Sequence, residues 1–124
     1  MQLKHVSFLT RDADALRRFY AALGATVLKD QTRSEEALRR LVLEVGGGRL
    51  QFFQDLSGAL QPRAAQGWME HIALEVSGLD AVISRLLEAG GALLRREPSP
   101  SGRDMAFVRD PDGRQLELLE RSPS

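Results

Sequence analysis

The chain repeats itself at a spacing of 66 residues, and this restricts its fold more than any other feature. Displaced by 66, "LKHVSFLT" falls on "MEHIALEV", so that His5 lands on His71. Without a gap, Asp14 then meets Asp80, Gly24 meets Gly90, Leu28 meets Leu94, Val42 meets Val108, Gly47 meets Gly113 and Leu50 meets Leu116. The stretch "LQFFQ" lies on "LELLE", which places Gln51 on Glu117. Identities are sparse, but the matches fall on punctuating glycines, on a helix-start Asp and on one polar residue inside each apolar strand. A chain written this way folds as two copies of one supersecondary unit.

Each copy reads alike. "HVSFLT" and "HIALEV" are rich in strand formers and nearly alternate. Asp12 or Asp14 caps a helix with Leu16, Phe19 or Tyr20, and Leu23 at helical spacing, and Gly24 stops it. In the second copy Asp80 is the expected cap, followed by Val82, Leu86 and Ala89, with Gly90 and Gly91 as the stop. A short strand follows in each ("ATVLKD"; "ALLRRE"), then a polar loop, then a hairpin. "LVLEV" turns through "GGG" into "RLQFFQ", and "MAFVRD" turns through "PDGR" into "QLELLE". The expected fold is α+β, with two βαβββ modules at residues 1–56 and 69–124 and a Gly- and Pro-bearing linker at 57–68 forming a single domain.

Composition narrows the function. With 124 residues one core suffices, and 17 basic against 17 acidic residues leave no electrostatic footprint for nucleic acid or an anionic membrane. The absence of cysteine removes disulfides, thiolate metal sites and Cys nucleophiles. "MQLKHVSFLT" has no signal-peptide core and no run reaches membrane-spanning length, so a cytoplasmic location is expected.

Strand alternation sorts the polar residues by face. Val6, Phe8, Leu50 and Phe52 lie under the first helix, and Ile72, Leu74, Val76, Leu116 and Leu118 under the second. His5, Ser7, Gln51 and Phe53, and His71, Ala73, Glu117 and Leu119, take the opposite faces. A single strand histidine is more often a hydrogen-bonded structural residue than a ligand, and a single strand glutamate more often faces water. Two matched polar pairs at one offset are a stronger signal. Two imidazoles, an amide oxygen and a carboxylate form a hard N/O donor set for a divalent metal, expected at His5, Gln51, His71 and Glu117.

The paired modules, "FYAALGA" in the first helix, "HIALEV" and "DPDGRQLELLE" resemble the vicinal oxygen chelate superfamily over nearly the whole chain. That superfamily includes glyoxalase I, methylmalonyl-CoA epimerase, extradiol dioxygenases, fosfomycin-resistance thiol transferases and bleomycin-resistance proteins. The resemblance implies an eight-stranded, cup-shaped half-barrel arrangement with helices on the outer face. It also implies metal ligands on the first and last strand of each module, which are the same four positions. Gln51 departs from the His, Glu, His, Glu of bacterial glyoxalases and agrees with the His, Gln, His, Glu of the epimerase. The metal is expected to be Ni, Co, Zn, Mn, Fe or Mg, and the partners a small substrate with vicinal oxygens and a second copy of the chain in a homodimer.

The expected chemistry is that of a lyase or isomerase. The metal stabilises an enediolate formed by proton abstraction next to a carbonyl, with Glu117 as the catalytic proton shuttle. Phe53, Leu119 and Ser7 are expected to line the pocket, with Arg103, and Arg96 beside it, clamping an anionic tail. The alternatives are a non-catalytic small-molecule or antibiotic binder and a thiol transferase, which uses two His and one Glu and leaves Gln51 out.

Overall fold

Two structural units divide the chain, residues 1–63 and 64–124, and a computed structural model describes residues 1–121. The first unit runs β1 (Val6–Leu9), α1 (Ala13–Leu23), β2 (Thr26–Arg33), β3 (Leu38–Val45) and β4 (Gly48–Asp55). The second runs β5 (His71–Val76), α2 (Leu79–Glu88), β6 (Ala92–Pro98), β7 (Asp104–Arg109) and β8 (Gln115–Glu120). Each is a βαβββ module. The strand orders are β1-β4-β3-β2 and β5-β8-β7-β6, with the first and last strand of each module parallel. That parallel pairing sets His5 and Ser7 beside Gln51, and His71 and Ala73 beside Glu117.

The helices sit where the alternation places them. Leu16, Phe19 and Tyr20 of α1 are fully buried, and the Tyr20 ring meets Phe52 of β4 at 5.4 Å, which itself stacks on Phe8 of β1 at 5.9 Å. In the second module Val82, Ile83 and Leu86 of α2 and Leu116 and Leu118 of β8 are buried. The opposite face of each sheet keeps the polar set.

Two details differ from the sequence reading. The polar loop expected after "ATVLKD" is largely strand: β2 runs on to Arg33, and only a 3₁₀ turn at Ser34–Glu36 separates it from β3. Asp12 caps α1, accepting from Ala15 N at 3.1 Å, but Asp80 lies inside α2 and does not cap it. The α2 N-terminus starts from Gly78 (φ 77°), and the Glu120 carboxylate of β8 accepts from Gly78 N at 3.0 Å and Leu79 N at 3.3 Å. A carboxylate reaching across the sheet replaces the local cap because it satisfies two orphan N–H groups and faces the positive helix end. The repeat holds here, since Gln54, 66 positions before Glu120, accepts from Ala13 N at 2.9 Å.

The gapless alignment also breaks in one strand. Gln51 stands opposite Val42, whereas Glu117 stands opposite Phe107, not Val108. The turn after β7 is longer than the turn after β3, so β3 and β7 are displaced by 65 while the flanking strands keep 66. With that register, Asp30 and Arg39 of the first module correspond to Arg96 and Asp104 of the second. The ion pair is kept with its charges exchanged: Arg39 Nη2 to Asp30 Oδ2 at 2.9 Å, and Arg96 Nη2 to Asp104 Oδ2 at 2.5 Å. In each module the arginine also reaches the aspartate in the first helical turn, Asp14 or Asp80.

Candidate metal centre and substrate pocket

On the second module, His71 and Glu117 meet. His71 Nδ1 lies 2.7 Å from the Trp68 carbonyl oxygen, which can only accept, so Nδ1 carries the proton. The unprotonated edge of the neutral ring is then Nε2, and it stands 3.3 Å from Glu117 Oε2. A lone pair and a carboxylate oxygen at that distance repel unless a cation lies between them, either a proton on the imidazole or a metal ion. Two cis donors on a metal at ordinary bond lengths lie roughly 3 Å apart, so the spacing suits both. The carbonyl behind Nδ1 is also the outer support that metal-bound histidines generally have. The His71 ring packs edge-on against Phe107 at 5.4 Å, and Arg95 lies over the same Phe107 ring at 4.4 Å.

On the first module the corresponding pair is arranged differently. Gln51 Nε2 lies 3.3 Å from His5 Nε2 and 3.1 Å from Ser7 Oγ. An amide nitrogen only donates, so the His5 lone pair is already satisfied. Gln51 Oε1, the atom expected to bind a metal, accepts instead from Arg40 Nε at 2.6 Å. A divalent ion on that oxygen would stand beside a guanidinium, and like charges that close cost several kcal/mol in a partly buried setting. The His71–Glu117 half therefore fits a divalent cation as it stands, and the Gln51 oxygen does not. Among the described residues, no group of three or more His, Asp and Glu side chains is arranged to hold one ion.

The remaining residues are placed as follows. Phe53 helps to line a pocket of about 370 Å³ together with His5, Gln31, Arg33, Leu38, Arg40 and Gln51. Ser7 is the hydroxyl that receives the Gln51 amide. Leu119 is half-buried, two residues beyond Glu117 and opposite Met105. Arg103 donates to Glu75 at 2.8 Å, and Arg96 is held by Asp80 and Asp104, so both guanidiniums already have carboxylate partners. Sequence reasoning missed Arg40, Phe107 and the Trp68 carbonyl. Arg40 could have been found from strand parity, since it stands opposite Phe53 and therefore on the Gln51 face. Phe107 required the one-residue displacement in β7.

Comparison with known proteins bears on this geometry. The model of the glyoxalase-like domain family matches residues 5–119. The lactoylglutathione lyase GLX1 of Arabidopsis thaliana is 28% identical over 127 residues, covering 97% of this chain and 44% of that protein. The chain thus spans less than half the length of this curated relative. Among solved structures, a glyoxalase family protein from Enterococcus faecalis superposes with a TM-score of 0.73 at 28% identity, covering 96% of this chain and 97% of that one. Glyoxalase I from Zea mays superposes with a TM-score of 0.83 at 21% identity, covering 99% of this chain and 46% of that one, a likeness of fold.

Proposed function

Because this chain belongs to the glyoxalase-like domain family, we propose that it is a divalent-metal-dependent lyase or isomerase acting on a small substrate with two adjacent oxygens. The observation that carries the reading is the His71 Nε2–Glu117 Oε2 approach at 3.3 Å, a donor pair that calls for a cation. His71 and Glu117 would hold the ion. His5 would contribute its Nε2 once the Gln51 amide turns away, and Gln51 would join only by giving up Arg40. When bound, the ion would act as a Lewis acid on the substrate carbonyl.

Glu117 is the proposed base. Its carboxylate takes the proton from the carbon next to the carbonyl and returns it to the neighbouring carbon, so that no atom is gained or lost and no oxidant is needed. The Trp68 carbonyl keeps His71 in one tautomer and orientation throughout. Phe53 and Leu119 are proposed as apolar walls that exclude water from the transferred proton. The lactoylglutathione lyase name of the Arabidopsis thaliana relative supports a hemithioacetal as the first substrate to try.

One observation favours a second reading. With the Gln51 oxygen bonded to Arg40, two histidines and one glutamate would remain once the Gln51 amide releases His5, the set that suits thiol transfer. The metal-loaded protein should be assayed on the hemithioacetal of methylglyoxal and glutathione, and on fosfomycin with glutathione. Formation of the hydroxyacyl thioester supports the isomerase, and a glutathione adduct supports the transferase. Binding of ligand with neither product would leave only a sequestering protein.

A further inference from the structure

We propose that the pocket on the first module is an anion subsite, with Arg40 and Arg33 recognising the carboxylate of a small organic acid. The site is built from residues of the first module alone, and it stands independently of the reading above.

Its lining is one-sided in charge. His5, Gln31, Arg33, Leu38, Arg40, Gln51 and Phe53 include two guanidiniums and no carboxylate. Arg40 is half-buried, and its one bond to the protein uses Nε, on Gln51 Oε1. This anchors the guanidinium plane and leaves the Nη1–Nη2 edge without a protein acceptor among the described residues, which is the edge that grips a carboxylate with two parallel hydrogen bonds. Arg33 is exposed and paired loosely with Glu36 at 3.6 Å, a contact that an incoming anion can displace. Leu38 and Phe53 give the pocket an apolar side, so that a small organic acid fits it better than a bare ion. Gln51 joins the two functions: its oxygen fixes Arg40, and its amide nitrogen faces His5 and Ser7.

The second module serves as an internal control. With the displacement of 65 in β7, the counterpart of Arg40 is Met105, which is buried. The arginines nearby are spoken for, Arg95 by Glu97 and Arg103 by Glu75. The same strand positions thus carry an unpaired guanidinium edge in one copy and a thioether in the other, a difference that packing under the helices does not require.

The test is a titration of the chelator-treated, full-length protein, followed on the arginine Nε–H resonances and by calorimetry. The probes are pyruvate, hydroxyacetone and inorganic phosphate. Pyruvate and hydroxyacetone share the vicinal oxygens and differ in charge. Pyruvate should shift the Arg40 Nε–H signal and bind at least roughly tenfold more tightly than hydroxyacetone. Arg40→Met should remove that preference, and Arg33→Met should weaken it. Tighter binding of phosphate than of pyruvate at the same resonance would keep the site but name a phosphoryl group as its ligand. Equal binding of pyruvate and hydroxyacetone, or an unchanged preference in a folded Arg40→Met protein, would overturn the proposal. If Arg40→Met does not fold, the wild-type comparison and Arg33→Met still decide it. Because no metal and no turnover enter, failure here is distinguishable from failure of the lyase reading.

Discussion

At the scale of single residues, the two halves of the expected metal site behave differently although they occupy equivalent strand positions. What separates them is the neighbour each acidic or amide group has. Glu117 faces the imidazole Nε2 of His71 at 3.3 Å, whereas Gln51 faces a guanidinium at 2.6 Å. An amide is the neutral side chain that can accept from Arg40 and donate to His5 together, and this explains glutamine at position 51 better than metal ligation does. For Glu117 the prediction is direct. Glu117→Gln keeps the shape and removes the base, so turnover of the true substrate should fall by roughly 10²–10⁴-fold while far-UV circular dichroism is unchanged. Full activity in that variant would reduce Glu117 to a ligand.

At the scale of elements, the repeat is expressed as contacts between helix starts and last strands. Gln54 and Glu120 each bind the first backbone N–H groups of the helix that precedes them in their module. Glu120→Ala should cost about 1 kcal/mol in urea unfolding, the usual loss for a removed helix cap, and Glu120→Gln should recover most of it. An unchanged midpoint in Glu120→Ala would mean that water serves the α2 N-terminus equally well.

The charge-exchanged pairs contribute to the acid limb of stability. The hydrogen bond from Arg39 holds the Asp30 carboxyl below the usual range against the opposing effect of burial, with Arg17 assisting, and Arg96 does the same for Asp104. A carboxyl lowered in the folded state contributes stability that is fully present above its unfolded value of about 3.9 and lost as pH falls through the folded value. Asp30→Asn should therefore be less stable than wild type at neutral pH, and the gap should narrow as pH drops from roughly 4 toward 2. A gap of the same size at both ends would assign the loss to packing.

The fold was legible because period-two strands and helix stops are local signals that the repeat doubles. His5, Gln51, His71 and Glu117 fell on the predicted face for the same reason. Three features were not legible. The Glu120 cap depends on a partner 41 residues away, the Phe107–Glu117 pairing depends on a turn one residue longer, and the Arg40 bond depends on which arginine of "RR" faces the sheet's polar side. None of these is a local signal.

At the scale of the whole molecule, the comparisons tie this chain to proteins about twice its length as well as to proteins of its own length. We propose that it works as a homodimer, which would bring together as many modules as the longer relatives have room for. Sedimentation at micromolar concentration should give the dimer mass, and a monomer would refute it. The helices of the described residues are not long and apolar enough to cross a membrane.

We propose above all that the His71–Glu117 pair holds a divalent cation. Equilibrium dialysis of the chelator-treated protein against zinc, nickel and cobalt, with wild type beside His71→Ala and Gln51→Ala, measures it directly. Wild type should bind stoichiometrically, with near-complete loss in His71→Ala and little loss in Gln51→Ala. Metal should also raise the melting temperature of the two proteins that bind it. Wild-type affinity in a folded His71→Ala protein, or no binding by wild type at all, would contradict the proposal.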